Sequence, residues 1–396
     1  MDTKYSRIIN QYYILSFMFS AGGMSIISAI HASYLINHGL NLFQVNLVNA
    51  IFYVTLFTCE IPTGAFADVF GRKASFVVAC ALLSLSMVVY GSSSTFVGFV
   101  LAEMVGAVGH TFRSGAFQAW LVDSLKYHGY EGQFNHIFGR ESVVNKVGGG
   151  LGALLGAYLM HYNSTFPWFF AGMVMAVTAI AASTIMKEVY FVRTKLSWKG
   201  GLVSMQEIAK SSIKYGVNDK SVRFILLITG FQIFAVQALN MYWQPYFRNN
   251  GMSDVHLGYL YNGMMVMLAI GSYLASKFTI RDREGTVIVL LHASVGLLIV
   301  CSVIATGNWM MVILFLLHEV PRGCLGPYMD NYIHKRVPSS ERATIVSFCS
   351  IAHHVGGTIG LLVSGVVAQL YGISTSWIVS GLCLIIGSLV VLKRRK

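Results

Sequence analysis

The stretch GAFADVFGRK (residues 64–73) joins two long apolar segments, which we place at residues 43–67 and 74–93. A helix of about 20 apolar residues is long enough to cross a lipid bilayer. Glycine permits the tight reversal that two adjacent helices need, and basic residues at the end of a span stay in the cytoplasm. We therefore expect residues 64–73 to form a cytoplasmic turn between two transmembrane helices.

Apolar segments of this length recur along the whole chain. Of its 396 residues, 55% are hydrophobic and 11% are charged, whereas a soluble globular chain has roughly 25% charged residues. The predicted spans lie near residues 11–35, 43–67, 74–93, 97–125, 138–161, 166–187, 222–248, 255–277, 285–306, 308–335, 342–371 and 375–392. These twelve spans leave short loops and no room for a soluble domain.

The positive charges indicate how the chain is oriented. The formal net charge is +12, but long uncharged segments separate the basic residues, so they form no continuous surface for nucleic acid. With the amino terminus inside the cell, nearly all Lys and Arg residues fall on the inside, and Arg248 is the exception in an outside loop. We expect a multi-pass protein of a bacterial inner membrane with both termini in the cytoplasm.

The chain divides into two similar halves. A basic stretch at 188–221 separates residues 1–187 from residues 222–396, and we predict a six-helix bundle on each side of this cytoplasmic linker. Val-Gly-Gly at 147–149 in the fifth span recurs as Val-Gly-Gly at 355–357 in the eleventh, which indicates an internal repeat. The predicted fold is all-α, with twelve transmembrane helices in two pseudo-symmetric bundles.

The turn at residues 64–73 resembles the loop motif of the major facilitator superfamily. That motif has a glycine, an aspartate four residues later, and then a glycine followed by two basic residues. Here these positions are occupied by Gly64, Asp68, Gly71, Arg72 and Lys73. The twelve spans, the two halves and the long middle loop fit the same family, and the chain looks most like its compact bacterial drug and metabolite exporters. The resemblance implies a monomer that moves a small molecule through the lipid bilayer by alternating access.

The resemblance also implies a latch at this turn. In the family the aspartate, here Asp68, meets the eleventh helix of the other half, and the arginine, here Arg72, pairs with an acid that closes the fourth helix, here Asp123. The corresponding turn of the second half lacks the aspartate. We expect Asp330 to face Arg281 or Arg283 there instead.

Charged residues inside the spans are candidates for proton coupling, because each costs about 2.5–3.5 kcal/mol at mid-bilayer. They form one cluster on the fourth helix and one on the tenth. The candidates are Glu103, His110, Arg113, His318, Glu319 and Arg322. The alternative is that the acids and arginines are structural ion pairs and that the histidines are hydrogen-bonded core residues rather than proton relays.

Two further charges allow two interpretations each. Glu60, in the second span, is either a protonatable carboxyl or a group that is salt-bridged or open to cytoplasmic water. Lys146, in the fifth span, either pairs with Glu103 or Glu141 or meets an anionic substrate.

The seventh helix carries a polar and aromatic stripe. Its candidate substrate contacts are Gln237, Asn240, Trp243 and Gln244. Amides in an aromatic setting suit a ligand pocket, but they also serve as hydrogen bonds between helices.

No phosphate loop, paired-histidine zinc motif or nucleophilic serine elbow occurs in the sequence. We therefore expect no enzymatic activity, no metal and no cofactor, and an ion gradient as the energy source. The predicted function is proton-coupled efflux, an exchange of drug or metabolite for H⁺. The alternatives are proton-coupled uptake of an organic anion or metabolite and, outside solute transport, a lipid flippase or a non-transporting membrane receptor.

Overall fold

The computed structural model describes residues 3–191, 219–278, 280, 283–337 and 339–395. Nearly all of these residues are helical, and no strand occurs among them. The first half contains α1 (Thr3–Gly22), α2 (Met24–Ile27), α3 (His31–Asn37), α4 (Leu42–Phe70), α5 (Arg72–Ser92), α6 (Phe96–Arg113), α7 (Ala116–Tyr127), α8 (Phe134–Tyr162) and α9 (Phe166–Ile185). The second half contains α10 (Lys220–Asn249), α11 (Asp254–Lys277), α12 (Glu284–Ile304), α13 (Asn308–Leu317), α14 (Glu319–Arg336), α15 (Ser339–Tyr371) and α16 (Ile373–Arg395). The predicted linker 188–221 lies mostly outside the described residues.

The predicted all-α membrane fold is confirmed. Among the described residues, 11 helical segments are long and apolar enough to cross a bilayer, and they correspond to the predicted spans other than the one at 97–125. The segment predicted at 97–125 is the pair α6 and α7, which is interrupted at Ser114 and Gly115. Gly115 has a φ of 73°, a conformation that glycine adopts without steric cost. The fourth span is therefore a broken helix.

The described residues pack into two compact units. The first contains those of Met1–Tyr34, Val54–Leu202 and Ser253–Tyr261, and the second contains those of Leu35–Tyr53, Val203–Met252 and Asn262–Lys396. Each unit has its own apolar core of aromatic and aliphatic side chains.

Glycines bring helices into close contact in the first unit. A Cβ added to Gly156 of α8 would lie 1.7 Å from the carbonyl oxygen of Ile26, and one added to Gly152 would lie 2.5 Å from that of Ala21. Only glycine fits at such separations, and small residues are the usual means by which membrane helices approach one another. The glycines of α8 thus form a packing surface.

The repeated glycines of the eleventh span bring two helices into close contact in the second unit. A Cβ on Gly356 would lie 2.4 Å from the carbonyl oxygen of Gly230, and one on Gly360 would lie 2.3 Å from that of Phe234. Both carbonyl oxygens belong to α10, so the backbones of α15 and α10 are in close contact.

We predict that Gly156→Ala destabilises the protein, because the added methyl group overlaps the Ile26 carbonyl. Overpacking of this kind costs roughly 1–3 kcal/mol. Gly139→Ala on the same helix is the matched control, because nothing lies within 4 Å of its added Cβ and alanine favours a helix over glycine by about 1 kcal/mol. Thermal unfolding in detergent should show a lower melting temperature for Gly156→Ala and an unchanged or higher one for Gly139→Ala. Equal melting temperatures would contradict the packing account.

Candidate functional site

The turn between α4 and α5 is closed by an acid that the sequence analysis missed. Gly71 has a φ of 98°, and α5 begins at the next residue. The backbone N–H groups of Arg72 and Lys73 donate to the two carboxylate oxygens of Glu188 at 2.6 and 3.1 Å. A carboxylate at this position satisfies free N–H groups and the positive end of the helix dipole. Glu188 follows α9 by three residues, and no local pattern in the sequence assigned it to this turn.

Arg72 joins the two acids that the resemblance implied for the latch. Its Nη1 lies 3.2 Å from Oδ1 of Asp68, and its Nε lies 3.9 Å from Oδ2 of Asp123. All three side chains are substantially exposed, and exposed ion pairs contribute only about 0–1 kcal/mol each. Their effect is therefore to set the geometry of the turn. The expected contact of Asp68 with the eleventh helix stays a prediction.

The corresponding turn of the second half has a different acid at its centre. Glu284, at the start of α12, is buried and pairs with Nζ of Lys335 at 2.6 Å and with Nη2 of Arg336 at 3.3 Å. Asp330 has an exposed side chain, and no ion pair joins it to Arg283 among the described residues. The predicted pairing of Asp330 with Arg281 or Arg283 stays a prediction. Arg281 lies outside the described residues.

Glu103 is buried in the first unit, with 4% of its surface exposed. It accepts a hydrogen bond from the hydroxyl of Tyr90. That hydroxyl also lies 3.2 Å from Nε2 of His31, and the Tyr90 ring stacks on Trp168 with the centroids 4.3 Å apart. The expected ion pairs of Glu103 are not found within the described part of the chain; a phenol takes the place of a cation.

Arg113 ends α6 immediately before the break in the fourth span. Its guanidinium lies over the ring of Phe19, 4.3 Å from the centroid, and its buried Nε has no hydrogen-bond partner among the described residues. His110 lies one turn earlier on the same helix. Glu141 of α8 is 5% exposed and accepts from the Asn145 side chain at 3.2 Å. The first unit thus holds two buried carboxyls and one arginine whose Nε is buried.

The two other charged candidates of the first half are exposed. Glu60 on α4 and Lys146 on α8 both have exposed side chains. For Glu60 this favours the alternative of a group open to water. No ion pair of Lys146 with Glu103 or Glu141 occurs in the described part of the structure.

The second cluster forms a continuous polar chain through the second unit. His318 Nε2 lies 3.4 Å from Oε1 of Glu319, and Nη1 of Arg322 lies 3.0 Å from the same oxygen. Arg322 Nη2 donates to Oδ1 of Asn240 at 3.0 Å. The chain continues from Asn240 Nδ2 to Gln237 Oε1 at 3.1 Å and from Gln237 Nε2 to the carbonyl of Gly357 at 3.2 Å.

The direction of this polar chain is fixed at both ends. A guanidinium can only donate hydrogen bonds, so Asn240 must turn its oxygen towards Arg322 and its nitrogen towards Gln237. The carbonyl of Gly357 can only accept, so Gln237 must turn its nitrogen towards it. The polar chain therefore connects the buried acid of α14 with the glycine stripe of α15 through two amides of α10.

The remaining candidates of the seventh helix are core residues. Trp243 and Gln244 are 4% and 3% exposed, whereas Asn240 is partly exposed. Their burial and the polar chain favour the alternative in which the amides connect helices. The residues that the structure brings together are Asn240, Gln237 and the charged cluster of the tenth span.

Known proteins of one family are similar to this chain over its full length. A protein-family model described as Major Facilitator Superfamily matches residues 12–283 and 225–396. The MFS-type transporter YxaM of Bacillus subtilis is 23% identical over 384 residues, which cover 92% of this chain and 90% of YxaM. The quinolone resistance protein NorA of Staphylococcus aureus is 21% identical over 343 residues, covering 87% of this chain and 85% of NorA.

A solved structure has the same fold. The nucleoside transporter NupG superimposes with a TM-score of 0.83 over 98% of this chain and 99% of its own, at 14% sequence identity. At this identity the likeness concerns the fold alone.

We predict that Asn240 and Arg322 are energetically coupled. Asn240→Leu leaves a partly buried guanidinium donor without an acceptor, which costs about 1 kcal/mol. In an Arg322→Met background that donor is gone, so the same change should cost little. A double-mutant cycle on the free energy of unfolding should give a coupling of about 0.5–3 kcal/mol.

The control cycle pairs Asn240→Leu with Ser84→Ala. Ser84 donates to the carbonyl of Gly172 at 2.7 Å and shares no partner with Asn240, so these two changes should be additive. Additive effects of Asn240→Leu and Arg322→Met would show that the residues of the polar chain do not stabilise the fold jointly.

Proposed function

The chain belongs to the Major Facilitator Superfamily of transporters, and we propose that it exports a small organic solute in exchange for protons. The similarity to NorA, a quinolone resistance protein, supports export as the direction. The absence of nucleotide-binding and catalytic motifs from the sequence supports an ion gradient as the energy source. Transport would follow the alternating access that is typical of secondary transporters.

The observation that carries the proposal is the surroundings of the Glu319 carboxylate. The side chain is 1% exposed, and its two oxygens differ: Oε1 faces Arg322 and His318, whereas Oε2 has no hydrogen-bond partner among the described residues. Acids within membrane spans are characteristic of proton relays in pumps and transporters. An unoccupied carboxylate oxygen is the atom to which a proton can add.

Protonation of Glu319 would change the forces on its neighbours. The charged carboxylate holds Arg322 by a short ion pair in a medium of low dielectric constant. Once Oε2 carries a proton the carboxyl is neutral, and the attraction that holds Arg322 falls. Arg322 also donates to Asn240 of α10, so a weaker attraction between Glu319 and Arg322 would affect α10 as well. Proton and solute binding would thereby influence the same helices, as an exchange mechanism requires.

Proton-coupled uptake of an organic anion is the second candidate. Arg113 favours uptake, because this partly buried arginine lies against an aromatic ring and its Nε has no hydrogen-bond partner among the described residues. A carboxylate or phosphate ligand would supply the missing acceptor. The two candidates differ in the direction of solute flow relative to proton flow.

The membrane placement is also part of the proposal. We infer a bacterial inner membrane with both termini in the cytoplasm from the distribution of Lys and Arg along the sequence. We propose that the protein works as a monomer and needs no cofactor, with the small-molecule solute and the bilayer as its partners.

We predict that Glu319→Gln abolishes transport driven by a pH gradient. The test uses proteoliposomes with an acidic interior and a panel of fluorescent quinolones and organic cations outside. The wild-type protein should accumulate at least one compound while protons leave, because exchange couples the two flows. Glu319→Gln should lose this accumulation but keep equilibrium exchange of labelled solute, because glutamine cannot take up the proton.

Glu131→Gln is the matched control, since Glu131 is an exposed acid between α7 and α8. It should behave like the wild type. A Glu319→Gln variant that still accumulates solute would remove Glu319 as the proton carrier. Accumulation only when the exterior is acidic would establish uptake instead of export.

A further inference from the structure

A cavity of about 310 Å³ opens in the first unit, away from the charged clusters of the spans. It lies where the start of α1, the end of α7 and the segment after α9 meet. Its basic lining residues are Arg7, His128 and Lys187. Its apolar wall includes Ile8, Trp120 and Tyr190. We call this cavity the basic pocket; its volume falls at the lower end of the roughly 300–1,000 Å³ that ligand pockets occupy.

Hydrogen bonds between distant parts of the chain hold the walls of the basic pocket. The Tyr5 hydroxyl donates to the carbonyl of His128 at 2.9 Å and ties α1 to the end of α7. The indole N–H of Trp120 donates to the carbonyl of Lys187 at 3.0 Å, and the Tyr190 hydroxyl donates to the carbonyl of Trp120 at 3.4 Å. The segment after α9 is thus fastened to α7, and the pocket is a formed site rather than a gap between loose loops.

The positive charge of the basic pocket is not neutralised by its own lining. None of the described lining residues is acidic, and neither Arg7 nor Lys187 forms an ion pair within the described residues. The nearest acid in sequence, Glu188, is turned away, because its carboxylate binds the backbone N–H groups that start α5. An anion entering the pocket therefore meets a described lining that contains cations and no carboxylate, although Glu188 and Asp123 lie close enough to act on Tyr190.

The basic pocket lies at the level of the lipid headgroups. The apolar segment that contains α1 begins at Tyr5, and the one formed by α9 ends at Ile185, so Arg7 and Lys187 lie within two residues of a span end. Basic residues at this level attract anionic lipids. A ligand that combines an anionic group with an apolar body suits a pocket whose mouth is basic and whose wall is aromatic and aliphatic.

We propose that the basic pocket binds an anionic phospholipid, with the headgroup phosphate on Arg7, His128 and Lys187 and the start of the acyl chains on the apolar wall. Guanidinium and ammonium groups are the usual partners of phosphate. Binding fixes the segment that carries Glu188, and Glu188 closes the turn in which Arg72 pairs with Asp68 and Asp123. The lipid thereby stabilises the loop motif from a site outside it. This inference does not depend on the direction or the coupling ion of transport.

The test measures the melting temperature of the detergent-purified protein with added phosphatidylglycerol, phosphatidylcholine or inorganic phosphate. Phosphatidylglycerol should raise the melting temperature by several degrees, and the other two should not. Arg7→Gln combined with Lys187→Gln should lose at least half of that rise. Both side chains are exposed, so the variant should fold, and its melting temperature without lipid checks this.

The matched control combines Lys126→Gln with Arg140→Gln. It removes the same charge from two exposed basic residues that do not line the basic pocket, and it should keep the full rise. If the control variant lost as much of the rise in melting temperature, the lipid would act through general charge attraction, and the proposed site would be overturned. A full rise with inorganic phosphate would show that the pocket binds a free anion, which overturns a lipid site. An equal rise with phosphatidylcholine would show that the negative charge of the headgroup does not matter, which also overturns the proposal.

Discussion

The cost of placing a charge inside a membrane span constrains the whole structure. A carboxylate there must be paired, hydrogen-bonded or neutral, and the two units meet this requirement differently. Glu103 in the first unit is held by the Tyr90 phenol, which suits a carboxyl whether or not it carries a proton. Glu319 in the second unit is held by the guanidinium of Arg322. The two buried acids therefore have partners of different charge, a neutral phenol and a cation.

Helix breaks lie beside two of the charged candidates. Gly115, with its positive φ, follows the end of α6 at Arg113. In the tenth span α13 ends at Leu317 and α14 begins at Glu319; Pro321 there lacks the N–H that would bond the carbonyl of Leu317. Interrupted helices are also where membrane transporters commonly hold charged ligands. Arg113 and Glu319 thus lie where the regular backbone pattern is interrupted, whereas Glu103 lies within a regular helix.

The sequence predicted what depends on local geometry. The spans follow from length and hydropathy, and the pairing of Glu319 with Arg322 follows from their spacing on one helix turn. Contacts between distant segments were not predictable. The pairing of Glu103 with Tyr90, and the closure of the turn by Glu188, depend on helix rotation, helix tilt and the path of the chain after α9. The 3.6-residue period fixes which residues share a face, but not which other helix that face meets.

The two units share an aromatic pair but differ in what else stacks on its tryptophan. In each unit a tyrosine packs on a buried tryptophan: the ring centroids of Tyr34 and Trp168 are 4.8 Å apart, and those of Tyr246 and Trp377 are 4.3 Å apart. In the first unit the tryptophan also stacks on Tyr90, which holds Glu103, whereas in the second unit it stacks on the apolar ring of Phe315. A carboxyl that pairs with an arginine, such as Glu319, links proton binding to the position of a helix; one held by a phenol does not. On the function proposed above, the proton acts through the second unit, and Glu103 belongs to the structure of the first.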